Sequence, residues 1–191
     1  MKRALALVAA SAAALATAAT AAAHARITPS VNLAKQLELY SLAVPTEKEG
    51  AATTKIVLTV PSGFAIDSFV PAAGWKRQVQ QSGSGDSAVV NTVTWTGGHV
   101  PTEEDALFQF LAQAQASKTY TFSVEQTYSD GSIVNWSGPE TSDDPAPTVE
   151  AKSSLGGGGS STLAIVALVV GAVGILLGGL ALVSKSGRPL A

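Results

Sequence analysis

The chain has 191 residues, with 12 lysine and arginine against 14 aspartate and glutamate residues and a formal net charge of −2. It has no cysteine, which excludes disulfides, thiolate metal sites and cysteine nucleophiles. A slightly acidic chain without a basic patch is unlike a protein that binds nucleic acid electrostatically.

The first 23 residues are typical of a secretory signal peptide. Two basic residues precede an alanine-rich apolar run, residues 4–23, which ends on the small residues that signal peptidase accepts. Cleavage after Ala23 would make His24 the first residue of the mature chain. An alternative Ala-x-Ala site, formed by Ala23, His24 and Ala25, would remove the histidine together with the signal.

Residues 24–138 show the alternation of apolar and polar side chains that marks half-buried strands. The clearest segment is KTYTFSVEQTY, residues 118–128, whose one face carries Tyr120, Phe122, Val124, Gln126 and Tyr128. Further strand candidates are QLELYSLAVP, TKIVLTVP, NTVTW, IVNW and ALFQFLAQA, the last of which is also compatible with a helix. Gly- and Pro-rich turns separate these segments. The pattern predicts one all-β domain, an antiparallel β-sandwich of immunoglobulin-like or cupredoxin-like type.

One turn within this domain is specified by its residues. Asp130 and Gly131 stand between two strand-like runs. This pair predicts a β-hairpin with a type I′ turn, in which both central residues have positive φ.

The C-terminal part predicts a tether and a membrane anchor. Residues 139–162 are acidic and then Gly/Ser-rich, as in a flexible linker. Residues 163–183 form an uncharged apolar run, and at about 1.5 Å per residue a helix of this length spans a hydrocarbon core of about 30 Å. Lys185 and Arg188 follow, so the positive-inside rule predicts a cytoplasmic tail, residues 184–191, and a domain outside the cell membrane.

A histidine at the mature terminus has specific metal chemistry. Its free α-amine and its imidazole Nδ1 can close one chelate ring, and two nitrogens from one residue favour Cu(II). Both nitrogens must lose protons to bind, so affinity falls in mild acid. The alternative is that His24 is incidental.

An ordered set of motifs gives the chain a family resemblance. The motifs are AHARITPS at the mature start, VPTE (44–47), TTKIVLTVPSGF (53–64), PAAGWK (71–76), VTWTGG (93–98) and QTYSDGSIVNWSGPE (126–140). With the signal and the anchor, the chain resembles the YcnI-like copper-binding proteins. The resemblance implies a β-sandwich that binds one Cu(II) through the amine and ring nitrogen of the N-terminal histidine, a nearby glutamate and a tryptophan close to the metal. It also implies a copper chaperone or storage protein that exchanges copper with a partner protein, and not an enzyme.

This resemblance assigns three site residues. His24 is the first ligand, Glu47 of VPTE matches the acidic position, and Trp136 of IVNW matches the tryptophan near copper. Glu49 is close enough in sequence to be confused with Glu47. Because the indole N–H only donates hydrogen bonds, we expect the π face of Trp136 to cover the metal. Trp75 and Trp95 are expected in the core.

The chain departs from the family pattern in two places. The mature start is His-Ala-Arg instead of His-Val, and Arg26 is expected to point to the opposite face of the first strand. After TGG come His99 and three acidic residues, Glu103, Glu104 and Asp105, which are expected in a solvated loop and not in a second metal cluster.

Two other functions remain open from the sequence. A histidine-brace copper oxygenase would need a second histidine, for which His99 is the candidate. A cell-surface binding module without a metal would not depend on His24.

Overall fold

The computed structural model describes residues 24–156 and 162–185, which divide into two units after Ser153. The predicted signal peptide, residues 1–23, and most of the predicted tail, residues 184–191, lie outside the described residues.

The first unit is built from short strands. They are β1 (Arg26–Thr28), β2 (Val31–Leu33), β3 (Leu37–Pro45), β4 (Thr53–Thr59), β5 (Phe64–Phe69), β6 (Lys76–Ser82), β7 (Val89–Val100), β8 (Asp105–Ala114), β9 (Thr119–Thr121), β10 (Ser123–Tyr128), β11 (Ile133–Trp136) and β12 (Thr148–Lys152). A 3₁₀ turn, Gly85–Ser87, precedes β7.

These strands form three sheets. One sheet has the order β1-β3-β8-β5, the second β11-β10-β4-β7-β6, and the third β2-β12-β9. The strand pairs are antiparallel except β2 with β12, which run parallel. The prediction of an all-β, antiparallel domain is confirmed.

The core lies between the four-stranded and five-stranded sheets. Trp95 of β7 stacks on Phe108 of β8, with ring centroids 4.3 Å apart, and meets Phe69 of β5 edge-on at 6.4 Å. Alternate residues of β8 are buried, from Ala106 to Ala114, so ALFQFLAQA is a strand and not a helix. The apolar residues that alternate along these strands therefore form the contact between the two sheets.

The predicted Asp130–Gly131 hairpin joins β10 to β11, but its turn is of another type. Gly131 has φ +84°, whereas Asp130 is not in the positive-φ region. The Gly131 N–H donates to the Tyr128 carbonyl at 3.0 Å, and the Tyr128 N–H donates to the Ser132 carbonyl at 2.9 Å. This is a three-residue loop in which glycine takes the left-handed position, so the type I′ prediction is wrong. The Asp130 carboxylate stabilises the loop by accepting a hydrogen bond from the Ser132 N–H at 3.0 Å.

The predicted linker contains an ordered strand. Within residues 139–162, β12 (Thr148–Lys152) pairs with both β2 and β9, and Val149 and Ala151 are buried. The linker prediction is therefore wrong for this stretch, and the domain continues beyond residue 138. Two inward-facing apolar residues are enough to order this segment, because its backbone groups form hydrogen bonds with strands on both sides.

The second unit contains one helix, α1 (Thr162–Lys185), which coincides with the predicted span of residues 163–183. Among residues 24–156 and 162–185, no helix, α1 included, is both long enough and apolar enough to cross a membrane.

A buried tyrosine gives a prediction about stability. The Tyr40 hydroxyl is buried and has no hydrogen-bond partner among the described residues. Burial, assisted by the nearby charge of Glu38, raises its pKa to about 12. An unpaired buried hydroxyl costs about 1–3 kcal/mol, so Tyr40→Phe is expected to increase the free energy of unfolding by about 1 kcal/mol at pH 7.

The pH dependence of unfolding gives this prediction a second readout. Because the folded-state pKa lies above the ordinary value of 10.0, the unfolded chain releases the Tyr40 proton at a lower pH than the folded chain does, and the free energy of unfolding falls as pH rises from 10 through about 12. Urea unfolding of both proteins between pH 7 and pH 11 measures the effect. Lower stability of the phenylalanine variant at pH 7 would contradict the prediction.

Candidate metal centre

His24 lies two residues before the start of β1 and is partly buried. In the β1–β3 pair, Arg26 is opposite Ala43. Continuing this antiparallel register by two residues places His24 opposite Pro45, the last residue of β3. The first strand thus brings the predicted mature terminus to the end of β3, where the VPTE motif lies.

Trp136 ends β11 and is buried, with 1% of its surface exposed. Its ring centroid lies 6.4 Å from that of His24, and the two ring planes are inclined by 57°. The indole N–H donates to the Gln126 side-chain oxygen at 2.9 Å, so the indole nitrogen is already engaged. The structure therefore brings together His24 and Trp136 and leaves only the ring surface of Trp136 for a metal.

Gln126, which the sequence did not assign to the site, is fully buried on β10. Its amide nitrogen donates to the Pro45 carbonyl at 2.8 Å and to the Thr53 hydroxyl at 2.7 Å. The signal was present in the sequence, since Gln126 is the polar member of the apolar face of KTYTFSVEQTY. A buried amide on such a face requires partners.

Glu47 lies in the loop that follows β3, and its side chain is exposed. The backbone of Glu47 and Lys48 lies near the hydroxyl of buried Tyr128 and acts to lower the pKa of that group. Burial nevertheless raises the pKa of Tyr128. Glu47 lines an acidic cavity of about 310 Å³ together with Glu49 and three further acids, Glu103, Glu104 and Asp105.

His24 lines a different cleft, of about 460 Å³. The structure therefore does not bring the Glu47 carboxylate into the cleft of His24. One wall of this cleft comes from residues 138–148, and it includes Glu140, a carboxylate that the sequence did not assign to the site. The wall is fixed by backbone hydrogen bonds from Gly138 to the Asp144 carbonyl at 3.0 Å and from Ala146 to the Gly138 carbonyl at 2.9 Å.

Arg26 lines the same cleft as His24. The two residues alternate with buried Ala25 and Ile27, so they lie on one face, and the expectation of opposite faces is wrong. The Arg26 guanidinium donates to the Asp105 carboxylate at 2.9 Å. This exposed ion pair reduces the positive charge that Arg26 brings to the cleft, and it joins the cleft to the neighbouring acidic cavity.

His99 is exposed on β7 and does not line the His24 cleft. The loop prediction is wrong for His99, because β7 extends to Val100. Asp105 begins β8, and all three acidic residues that follow His99 are exposed. In the part of the chain that the structure describes, no group of three or more His, Asp and Glu side chains is arranged to hold a metal ion.

This donor set limits the metal chemistry. Among the described residues at this position, the imidazole of His24 is the one side-chain nitrogen that could bind a metal, because the indole nitrogen of Trp136 is engaged by Gln126. A second nitrogen ligand would therefore have to come from the main chain. Signal cleavage before His24 would supply that nitrogen as an α-amine. Such a pair of nitrogens suits Cu(II), which prefers nitrogen and oxygen ligands in a tetragonal arrangement.

The chain is similar to known proteins in both sequence and fold. Residues 24–151 match a family described as a domain of unknown function, DUF1775. The chain is 32% identical over 181 residues to the "Copper-binding protein CutI" of Bacillus subtilis (strain 168), covering 85% of this chain and 86% of the relative. A crystal structure of an uncharacterized protein from Nocardia farcinica, described as having an immunoglobulin-like fold, is similar with a TM-score of 0.57 and 29% identity. That likeness covers 67% of this chain and 97% of the other, and it supports the immunoglobulin-like prediction.

Proposed function

The chain belongs to the DUF1775 family, as its resemblance to the YcnI-like proteins indicated, and from this premise we propose that it binds copper as Cu(II). The copper is cargo that the domain stores or passes to a partner protein, and the domain is not an enzyme. The relative named as a copper-binding protein supports copper as the metal.

The observation that carries the proposal is the pairing of His24 with Trp136. A partly buried imidazole lies 6.4 Å from a buried indole whose nitrogen is engaged elsewhere. An aromatic ring beside a cation excludes water and attracts the charge through its quadrupole. We assign the imidazole and the α-amine of His24 as the nitrogen ligands and the ring of Trp136 as their cover.

The proposal is tested on the processed chain. Mass spectrometry should show a free amino terminus at His24. Titration with Cu(II) should then give a type-2 electron paramagnetic resonance (EPR) signal with nitrogen hyperfine coupling, at one copper per chain. A mature start at Arg26, or a titration without nitrogen coupling, would overturn it.

Glu47 is proposed as the oxygen ligand. Its backbone follows Pro45 by two residues, and Pro45 is the position that the β1–β3 register places opposite His24. Its carboxylate is exposed and so is free to turn towards a bound cation, whose positive charge it would offset.

The prediction for Glu47 uses its neighbour as a matched control. Glu47→Gln is expected to weaken Cu(II) binding about tenfold or more, because it removes an anionic oxygen while keeping the side-chain size. Glu49→Gln removes the same charge from the same loop and cavity and is expected to change little. Competition titration with a chelator of known affinity measures both. Equal effects of the two substitutions would show that Glu47 contributes only its charge.

Export belongs to this proposal, because signal cleavage creates the α-amine that the site uses. Tethering through residues 163–183 stays a prediction from the sequence. Extraction of cell membranes with alkaline carbonate tests it, and release of the chain into the soluble fraction would contradict a tether.

A further inference from the structure

The geometry points to Gln126 as a positioning residue that holds the indole of Trp136 beside His24 and fixes the end of β3 at the same time. This inference rests on the proposed copper site. The residue touches no ligand atom itself and acts through the groups that its amide holds.

The Gln126 amide forms its hydrogen bonds in one defined orientation. Its oxygen accepts from the Trp136 indole N–H at 2.9 Å, and its nitrogen donates to the Pro45 carbonyl and the Thr53 hydroxyl. An indole N–H can only donate and a carbonyl can only accept, so the reversed amide would lose both bonds. The orientation of Gln126 is therefore dictated by its partners.

These partners come from separate strands and both main sheets. Trp136 is on β11 and Thr53 on β4, which lie with β10 in the five-stranded sheet, whereas Pro45 ends β3 of the four-stranded sheet. One side chain thus links the strand that carries the indole to the strand that leads into the Glu47 loop. The hydroxyl of Thr46, next to Pro45, lies 2.7 Å from that of Thr53 and extends the link.

Burial makes this arrangement rigid. Gln126 and Thr53 are 0% exposed, Thr46 is 2% exposed and Trp136 is 1% exposed. Water cannot replace a lost bond in such surroundings, so breaking any one leaves a buried polar group unpaired. Displacement of the amide would release together the indole, which lies beside His24, and the Pro45 carbonyl, which lies at the start of the Glu47 loop.

A merely structural role for Gln126 makes a different prediction. It would lower the stability of the domain without changing the coordination of copper. The experiment therefore needs a spectroscopic signal from the metal, and a control that loses partly buried hydrogen bonds elsewhere.

The test compares Gln126→Met with Tyr120→Phe in the full processed chain, with Cu(II) as the probe. The methionine removes all three bonds at nearly constant volume. The Tyr120 hydroxyl makes partly buried hydrogen bonds, accepting from the Ala116 N–H at 2.9 Å and donating to its carbonyl at 3.1 Å. We expect both variants to melt at lower temperature. Only Gln126→Met should shift the EPR parallel g value and copper hyperfine splitting and weaken Cu(II) binding about tenfold.

Two further variants keep the test decisive. Gln126→Glu retains an oxygen for the indole N–H, so its copper spectrum should lie closer to that of the wild type than the methionine spectrum does. Gln126→Asn keeps an amide but is one methylene too short to reach both strands, and it replaces Gln126→Met if that variant does not fold.

The outcomes separate the inference from the proposed function. A wild-type chain without a nitrogen-coupled Cu(II) signal overturns the proposed function and this inference with it. A normal wild-type signal that is unchanged in folded Gln126→Met or Gln126→Asn overturns the inference alone. A spectral shift of the same size in Tyr120→Phe would also overturn it, since destabilisation would then be the cause.

Discussion

Replacing His24 by alanine in the processed chain is expected to weaken Cu(II) binding at least about a hundredfold, more than loss of an outer-shell group typically does. The alanine variant keeps the α-amine but loses the imidazole, and with it the chelate ring. Acetylating the α-amine of the unsubstituted chain keeps the imidazole and removes the other nitrogen. Because each change leaves one nitrogen, the two should reduce affinity to a similar extent and abolish two-nitrogen hyperfine coupling.

The control for His24 is the other histidine in the chain. His99 is exposed on β7 and lies outside the His24 cleft, so His99→Ala should leave both the affinity and the EPR spectrum unchanged. Loss of copper binding in His99→Ala would instead support a histidine brace. Retention of full affinity in His24→Ala would remove the basis of the proposed function.

Acidity provides a second check on the same two nitrogens. Cu(II) must displace a proton from each nitrogen that is protonated at the working pH, so binding weakens by up to about tenfold per nitrogen for each unit of acidification. Acetylation removes the basic α-amine, so only the imidazole proton remains to be displaced by Cu(II). The acetylated chain should therefore show the shallower dependence of affinity on pH.

The strands were predictable because burial in a sheet leaves a local mark. Tyr120, Phe122 and Val124 alternate with more exposed residues in the structure as they do in the sequence. The same alternation placed Gln126 on the buried face. Its partners could not be read from the pattern, because Pro45 and Thr53 are 81 and 73 residues away along the chain.

The linker prediction failed for β12 for the same reason, namely that its partners are remote in sequence. Strand β12 looked like linker because its neighbours in sequence are acidic, proline-rich and glycine-rich. Its stability comes from pairing with Val31–Leu33 and Thr119–Thr121, which are remote in sequence. Composition indicates whether a segment can form a core of its own, but it does not indicate whether remote strands pair with the segment on both sides.

The site was predictable in part. His24 was identified by chemistry that belongs to one residue, and its nearness to Trp136 agrees with the family resemblance. The wall that carries Glu140 was missed because it lies in the segment expected to be linker. The orientation of the indole depends on a hydrogen bond between β10 and β11, so only the folded structure reveals it.

Trp136→Phe is the second substitution with a large expected effect. Phenylalanine retains an aromatic ring but has no N–H, so the buried Gln126 oxygen loses its partner. Leaving that oxygen unpaired costs about 1–3 kcal/mol of folding free energy, and the smaller ring adds a cavity. We also expect weaker Cu(II) binding and a changed EPR spectrum, because the remaining ring is no longer held beside His24.

Trp95→Phe is the matched control for the loss of indole volume. Trp95 is similarly buried, at 2% exposed, but it stacks on Phe108 in the core, whereas the Trp136 ring lies beside that of His24. This variant should lose stability and keep the wild-type copper spectrum. An unchanged copper spectrum in Trp136→Phe would show that the tryptophan assignment is wrong.

Combining Trp136→Phe with Gln126→Met distinguishes a linked pair from two independent contributors. If the indole–amide hydrogen bond is what each single substitution breaks, the second substitution removes a partner that is already lost. The double variant should then be more stable than the sum of the single effects predicts, by about 1–2 kcal/mol in urea unfolding. The weakening of Cu(II) binding should be less than additive in the same way. Additive losses in both measurements would mean that the two side chains act separately, and that the bond between them does not position the indole.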